Sequence, residues 1–258
     1  MGIYNCAPTL KEALDSLLAQ TYQGFKVIMC DDGSKDNTIE IAGQYSERYP
    51  DKFILIRNER NMGLNYTLNH CLDYADTEYV ARMDGDDISL PGRFEKEIEF
   101  LDGHPEIAIV STPMIYFDEN GDFMTGGGGG IYPSKNNFIN GTPFCHAPCM
   151  VRKEAYDAVN GYTVDPRLLR VEDYHLWFKM YAKGYRGYIL NEPLYKMRDN
   201  RQAVSRRTWR NRVNEFHVRR IGYRMISIPW YKRFWMFRPL AVGLIPKWLY
   251  NILHRSRN

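Results

Sequence analysis

At 258 residues, 44% apolar and 25% charged, the chain suits one large globular domain, or a domain with an appendage, and excludes a disordered protein. No apolar run approaches the ~18 residues of a membrane span, and no secretory signal is visible. The net charge of +3 hides a split: residues 201–258 hold 14 Lys/Arg and one acid, a net +13, whereas residues 1–200 hold 20 Lys/Arg and 30 acids, a net −10.

The five cysteines are scattered and odd in number, which fits a reducing, cytosolic setting. Cys145-His146-x-x-Cys149 has the look of half a zinc site, but no second ligand pair follows it.

Met1 to Asn5 reads as the end of a first strand. A sheet of this type wants about five more apolar residues there, so a truncated or misassigned start is expected. Pro8-Thr9 opens a helix, with Thr9 as N-cap, Glu12 completing a capping box, and Leu10, Leu14, Leu17 and Leu18 as the apolar stripe. Phe25–Cys30 is a short buried strand, ended by Asp31-Asp32-Gly33-Ser34. A helix follows from about Thr38, then a strand at Phe53–Ile56, a loop from Asn58 to Gly63, and a helix to about Ala75. Tyr79–Met83 reads as a strand leading into Asp84-Gly85-Asp86-Asp87. Short buried strands alternating with helices predict an α/β fold, a mostly parallel sheet with helices on both faces.

Three carboxylates at the C-terminal end of such a strand sit where α/β sheets bind ligands. Carboxylates this close repel each other unless a cation holds them, and a hard divalent ion with a phosphate-bearing substrate accounts for them. A solvated or calcium-like turn is the competing reading.

The second half is less regular. Ile107–Val110 is a strand, and the five glycines of Gly126–Gly130 read as a mobile loop, with a phosphate cradle as the sharper alternative. Lys153–Val159 is a helix stopped at Gly161-Tyr162. A further helix runs from Tyr174 to Lys183, opened by Glu172-Asp173, with Leu176, Trp177, Met180 and Tyr181 at core spacing. Arg206–Arg224 fits a helix with Trp209, Val213, Phe216 and Ile221 on one side; Arg206, Arg207, Arg210, Arg219 and Arg220 add positive charge. Basic residues among interfacial aromatics suit an anionic membrane surface, against the plainer reading of a helix packed back on the domain. Nucleic acid fits less well, because the acidic body would repel a polyanion.

Tyr4-Asn5, Gln20-Thr21-Tyr22, Asp31-Asp32-Gly33-Ser34, Asp84-Gly85-Asp86-Asp87, His146, Gly161-Tyr162 and Glu172-Asp173 before Leu176-Trp177 occur in order. Over roughly residues 1–205 this resembles a family 2 glycosyltransferase of the GT-A fold, the kind found in bacterial capsule and exopolysaccharide assembly. The resemblance implies a nucleotide-binding half (1–105), an acceptor half (106–205) and, beyond them, a basic, Trp-rich helical tail (206–258). It implies inverting transfer of a sugar from a nucleotide diphosphate, usually a UDP-sugar, to a hydroxyl of a glycan or lipid-linked acceptor, with Mn²⁺ or Mg²⁺. Asp32 would accept a hydrogen bond from the base, with Tyr4 packed on it and Asn61 and Gly63 close by. Asp86 would hold the metal, and Asp84 the ribose and metal shell. His146 would lie near acceptor or diphosphate, unless it is a buried, satisfied histidine. Asp173, beside Glu172, would be the general base, unless the pair merely caps its helix. Gly2 and His175 depart from the family pattern; His175 would make the local charge pH-sensitive.

The expected protein is a metal-dependent enzyme, cytoplasmic and peripheral at the inner membrane face. A nucleotidyltransferase would want basic residues in the first loop, and residues 2–9 contain none. A non-catalytic partner-binding protein that keeps the fold is the alternative from another class.

Overall fold

The computed structural model describes residues 1–199 and 208–244. The first half alternates strand and helix as its apolar spacing dictates: β1 (Gly2–Ile3), α1 (Ala7–Leu18), β2 (Val27–Asp31), α2 (Thr38–Arg48), β3 (Phe53–Arg57), α3 (Leu64–Asp73) and β4 (Tyr79–Ala81). β1, β2 and β3 form a parallel sheet in that order.

The second half is mixed. It holds β5 (Ile88–Ser89), α4 (Arg93–Gly103), β6 (Ile109–Ser111), β7 (Met114–Asp118), β8 (Gly121–Gly126), β9 (Met150–Arg152), α5 (Lys153–Ala158), α6 (Glu172–Ala182), β10 (Gly187–Ile189) and β11 (Tyr195–Arg198). One sheet has the order β10-β6-β9-β4, with β9 antiparallel to both neighbours. The other has the order β5-β11-β7-β8, with only β11 and β7 parallel. The first half is thus wholly parallel, and beyond Asp84 the parallel pairs β10–β6 and β11–β7 are mixed with antiparallel ones.

α1 begins earlier than expected. Cys6 is its N-cap, and Pro8 lies in the first turn, where a missing N–H costs nothing. Thr9 is thus inside the helix, and its hydroxyl donates to the carbonyls of Cys6 (3.2 Å) and Gly85 (3.1 Å). No capping box forms; Glu12 pairs instead with Arg198. The Thr9–Gly85 bond ties α1 to the acidic loop.

α7 (Trp209–Met225) buries a different face from the one its apolar pattern suggests. Trp209 and Val213 are 53% and 41% exposed, while Asn214, Val218, Gly222 and Tyr223 are buried. Gly222 sets the face: a Cβ there would come within 2.1 Å of the Phe178 ring, so its absence lets α7 press on α6. Val218 and Tyr223 join the α6 core. Arg219 is no surface charge either; it is buried, donating to the Ile139 carbonyl (2.7 Å) and Glu215 (2.8 Å). Arg206 and Arg207 lie outside the described residues.

The five-glycine run is no phosphate cradle. Gly130 donates to the Ile189 carbonyl (2.8 Å), and a Cβ on Gly129 would meet the Leu190 carbonyl at 2.4 Å. These glycines let the chain lie against the segment after β10.

In the core below the acidic loop, Arg93 and Glu97 are both fully buried and pair at 3.1 Å. Arg93 also donates to the Arg82 carbonyl (3.0 Å), and its guanidinium lies 5.0 Å from the Tyr195 ring centre. Breaking such a pair strands a buried charge. Arg93→Ala is expected to destabilise the fold by about 3–5 kcal/mol, read as a lower denaturant midpoint. Arg93→Ala/Glu97→Leu should recover part of that loss.

Candidate active site

Tyr4, Asp32 and Asp84 all follow the C-terminal ends of strands, on β1, β2 and β4 respectively. Tyr4 presents an exposed ring, 44% accessible, available to stack on a planar ligand. Asp32 is buried and already well supplied with donors. Asn58 Nδ2 (2.8 Å) and the Met62 amide (2.8 Å) reach one carboxylate oxygen, and the Gly63 amide (2.9 Å) reaches the other. Gly63 takes φ +87° at the entrance to α3, a conformation that favours glycine. Gly33, at φ +76°, packs against the 60–61 backbone; a Cβ there would lie 2.9 Å from the Asn61 nitrogen. Asp32 thus fixes the loop carrying Asn61, and its second oxygen carries only one of these bonds. Gly2 lies against α3, where a Cβ would meet Thr67 at 3.1 Å.

The acidic loop divides its labour. Asp87 is buried, accepting from the Tyr195 hydroxyl (2.9 Å) and the Arg198 amide (2.8 Å), and is pushed up to about 7 by burial and by Asp84. It anchors the loop to β11. Asp84 is half-buried, with one oxygen 2.6 Å from Arg82 Nη2 and its amide donating to the Tyr195 hydroxyl (3.2 Å). Asp86 is exposed; burial of its surroundings, then the neighbouring Asp84 charge, raises its pKa. Arg198 Nε donates to the Asp86 backbone carbonyl (2.9 Å), holding the residue by its main chain.

No three histidine, cysteine or acidic side chains converge as a complete metal cage among the described residues. The donor set nevertheless fits a hard divalent ion held jointly with a phosphate-bearing substrate, which asks for one or two carboxylates from the protein. The mutual repulsion of Asp84 and Asp86 is what such a cation relieves. Cys145, His146 and Cys149 do not form a zinc site: the Cys149 thiol donates to the Cys145 carbonyl (2.9 Å) and His146 Nε2 lies 2.7 Å from the Tyr162 hydroxyl.

Asp173 occupies the first turn of α6, half-buried, and burial followed by the adjacent Glu172 pushes it up to about 7. Glu172 is raised too, chiefly by burial, and one of its oxygens is buried without a hydrogen-bond partner. The N-cap residue of α6, Val171, makes no side-chain bond, and backbone amides of the first turn reach the Asp173 carboxylate. His146 is packed between the Tyr162 and Trp177 rings, 5.5 and 6.1 Å away, and burial holds its pKa well below the ordinary value. His175 is buried, and desolvation lowers it to about 4. It is neutral at pH 7, so the expected pH-sensitive charge is absent: the side chain turns into the core.

One important residue escaped the sequence reading. Arg82 is buried at the end of β4, and its charge bears on Asp84, Asp86, Glu172, Asp173 and His146 alike. The available signal was an arginine inside an otherwise apolar strand, immediately before the acidic run.

A parallel sheet ending in an aromatic and a tethered aspartate, a paired-carboxylate loop after β4 and a raised carboxylate on α6 place the candidate site at strand ends, where α/β folds bind ligands. The chain belongs to glycosyl transferase family 2, whose model matches residues 1–159. It is 39% identical to the putative glycosyltransferase EpsE of Bacillus subtilis, over 100% of this chain and 92% of that protein. It is 31% identical to the amylovoran biosynthesis glycosyltransferase AmsE of Erwinia amylovora, over 82% of this chain and 79% of that one. Among solved structures, S. aureus TarS 1–349 in complex with UDP-GlcNAc superposes with a TM-score of 0.71 at 20% identity, covering 94% of this chain and 70% of that one. The mannosyltransferase PcManGT of Pyrobaculum calidifontis, in complex with GDP-Man and Mn²⁺, gives 0.64 at 18% identity, over 99% and 77%. These two likenesses establish the GT-A-type fold.

Proposed function

We propose that the chain transfers a sugar, with inversion, from a nucleotide diphosphate donor to a hydroxyl of a glycan or lipid-linked acceptor in cell-surface polysaccharide synthesis. The observation that carries this is the raised, half-buried carboxylate of Asp173 beside Glu172, together with an acidic loop that has one exposed carboxylate, Asp86. The UDP-GlcNAc bound by TarS favours a uridine donor, and the name of AmsE favours a polysaccharide product. Residues 1–105 take the donor and 106–205 the acceptor.

Asp32 and Tyr4 receive the base, with Gly63 allowing close backbone approach. Asp86, with Asp84, would hold Mn²⁺ or Mg²⁺, which neutralises charge on the departing diphosphate when bound. Asp173 takes the proton from the acceptor hydroxyl. The acceptor oxygen then bonds to the anomeric carbon from the face opposite the diphosphate. The old C–O bond breaks, and its electron pair leaves with the nucleoside diphosphate. One base suffices and no covalent intermediate forms. Glu172 keeps Asp173 basic by raising its pKa. His146 braces the acceptor side through Tyr162 and Trp177.

A screen of sugar nucleotides by UDP release with manganese and a glycan or lipid-linked acceptor tests this reading. Acceptor-dependent release from at least one donor is expected. Donor binding with no turnover on any acceptor would favour the non-catalytic, partner-binding reading.

We also assign the C-terminal region to the cytoplasmic face of an anionic membrane. No helix among the described residues is long and apolar enough to cross a membrane. The 3-10 segment Trp230–Phe237 buries no side chain, exposing Trp230, Tyr231 and Phe234 beside Lys232 and Arg233. Rings and cations together suit a headgroup layer rather than nucleic acid. Flotation with phosphatidylserine vesicles should carry the protein, and Trp230→Ser/Phe234→Ser should reduce that fraction several-fold; equal binding to neutral vesicles would contradict it.

A further inference from the structure

The turn that delivers Glu172 and Asp173 runs against its own sequence. Residues 168–171 close with the Val171 amide donating to the Leu168 carbonyl (3.1 Å). Leu169 takes φ −60° and ψ 127°, and Arg170 takes φ +69°. These are the angles of a type II turn, whose third residue favours glycine. An arginine there carries its Cβ into the left-handed region, which L-residues enter at a cost. A type I turn closes with the same hydrogen bond, needs no positive φ and accepts most residues. Local preference alone would choose type I.

The two turn types differ in the peptide between their central residues, which is flipped over from one to the other. Here that peptide joins Leu169 to Arg170, and both of its edges are held. The Leu169 carbonyl accepts from Asn214 Nδ2 (3.0 Å). The Arg170 N–H, on the opposite edge, bonds the Glu172 carboxylate. Asn214 is buried, comes from α7 and lies 45 residues along the chain from Leu169. Gly222 seats α7 closely on Phe178 of α6, so the amide is presented from a fixed helix. Flipping the peptide would take the carbonyl from Asn214 and the N–H from Glu172 together. A donor aimed at that carbonyl therefore chooses the turn type, and with it the way the chain enters α6.

We propose that Asn214 is a positioning residue for the general base. Its amide selects the type II form of the 168–171 turn, and the flipped peptide holds Glu172, hence Asp173, toward the acceptor. The reaction then draws on α7, the helix that leads to the Trp230–Phe237 segment, as well as on the residues before it. This inference rests on Asp173 being the base of the proposed function, and its test separates the two.

With a donor and acceptor that the wild type turns over, Asn214→Ala should lower kcat by roughly 10–100-fold, the scale of a small misplacement at the reacting centre, with UDP affinity in manganese within a factor of two. The acidic limb of kcat/KM should move to lower pH, because a loosened turn admits water to Asp173, whose pKa is raised by burial and then by Glu172. Asn214→Ala/Arg170→Gly should recover most of the rate and of the limb, since glycine takes the type II form unaided. Wild-type kcat with an unmoved limb in Asn214→Ala, or no recovery in the double variant, would overturn the role.

Position 170 is exposed, so a second pair of variants decides if Asn214→Ala does not fold. Arg170→Gly and Arg170→Val remove the same charge, but valine resists positive φ. The glycine variant should turn over about tenfold faster than the valine variant, and equal rates overturn the role. A wild type that transfers to no acceptor would count against the proposed function, and the turn is then read by carbon-13 titration of the Asp173 carboxyl. A lower midpoint in Asn214→Ala, or in Arg170→Val relative to Arg170→Gly, supports the role; identical midpoints overturn it.

Discussion

Asp173→Asn is expected to lower kcat by about a thousandfold while leaving UDP affinity within a factor of two. A positioned general base contributes roughly 10²–10⁴ in rate, and the amide has the shape of the carboxylate but cannot take the acceptor's proton. The wild-type pH profile carries the same information. Burial, then the charge of Glu172, pushes Asp173 up to about 7, so kcat/KM should fall below that pH as the carboxyl protonates. Glu172→Gln removes a raising charge and should move this limb to lower pH. The stability effect has the opposite sign to the activity effect. A carboxyl raised above its unfolded value of about 3.9 stabilises the fold below that pH, and the contribution is lost as pH rises through about 7. Asp173→Asn should therefore melt higher than wild type at pH 8 and about equally at pH 4. A variant that loses activity and also melts lower at pH 8 would mean that the carboxylate holds the helix rather than the proton.

Asp86→Asn is expected to cost about 10²–10³ in kcat and to abolish the manganese dependence of nucleotide binding, with little change in melting temperature. Its carboxylate is exposed, and Arg198 holds the residue through its backbone carbonyl, so the fold does not rely on the side chain. Loss of Lewis-acid assistance removes several kcal/mol of stabilisation from the departing diphosphate, and each ~1.4 kcal/mol is a factor of ten. Asp87→Ala should do the reverse. It removes acceptors from the Tyr195 hydroxyl and the Arg198 amide, both buried or partly buried, so the melting temperature falls first and activity follows the disordering of the loop. Measuring metal-dependent binding and melting temperature on both variants separates the ligand from the anchor.

The parts of the fold that could be read from residue order were those whose pattern is local. The α2, β3, α3 and α5 elements follow from apolar spacing bounded by Gly, Asn and Asp, and they lie within a few residues of the expected places. The face of α7 was not legible, because it is chosen by Gly222 fitting against Phe178, a contact between residues 44 apart in sequence. The start of α1 was misread for a simpler reason. Thr9 and Glu12 have the spacing of a capping box, but Pro8 is better accommodated inside the first turn, and both side chains then find distant partners in Gly85 and Arg198.

At the site, the acidic loop was visible as a cluster, but the separate role of Asp87 was not. Its partners, Tyr195 and Arg198, lie more than a hundred residues away and carried no local signal. Arg82 was overlooked because a single charge in a strand reads as an edge residue; only the assembled structure shows it buried and paired with Asp84. His175 misled in the other direction. Histidine among carboxylates suggests a switch, but desolvation removes its charge well below neutral pH.

Calorimetric titration of UDP into the protein, with and without Mn²⁺, tests the central claim most directly. Saturable UDP binding in manganese, lost on chelation and lost in Asp86→Asn but retained in Asp173→Asn, is the predicted result. Wild-type protein that is folded by circular dichroism yet binds no UDP, GDP or other nucleoside diphosphate in manganese would contradict it.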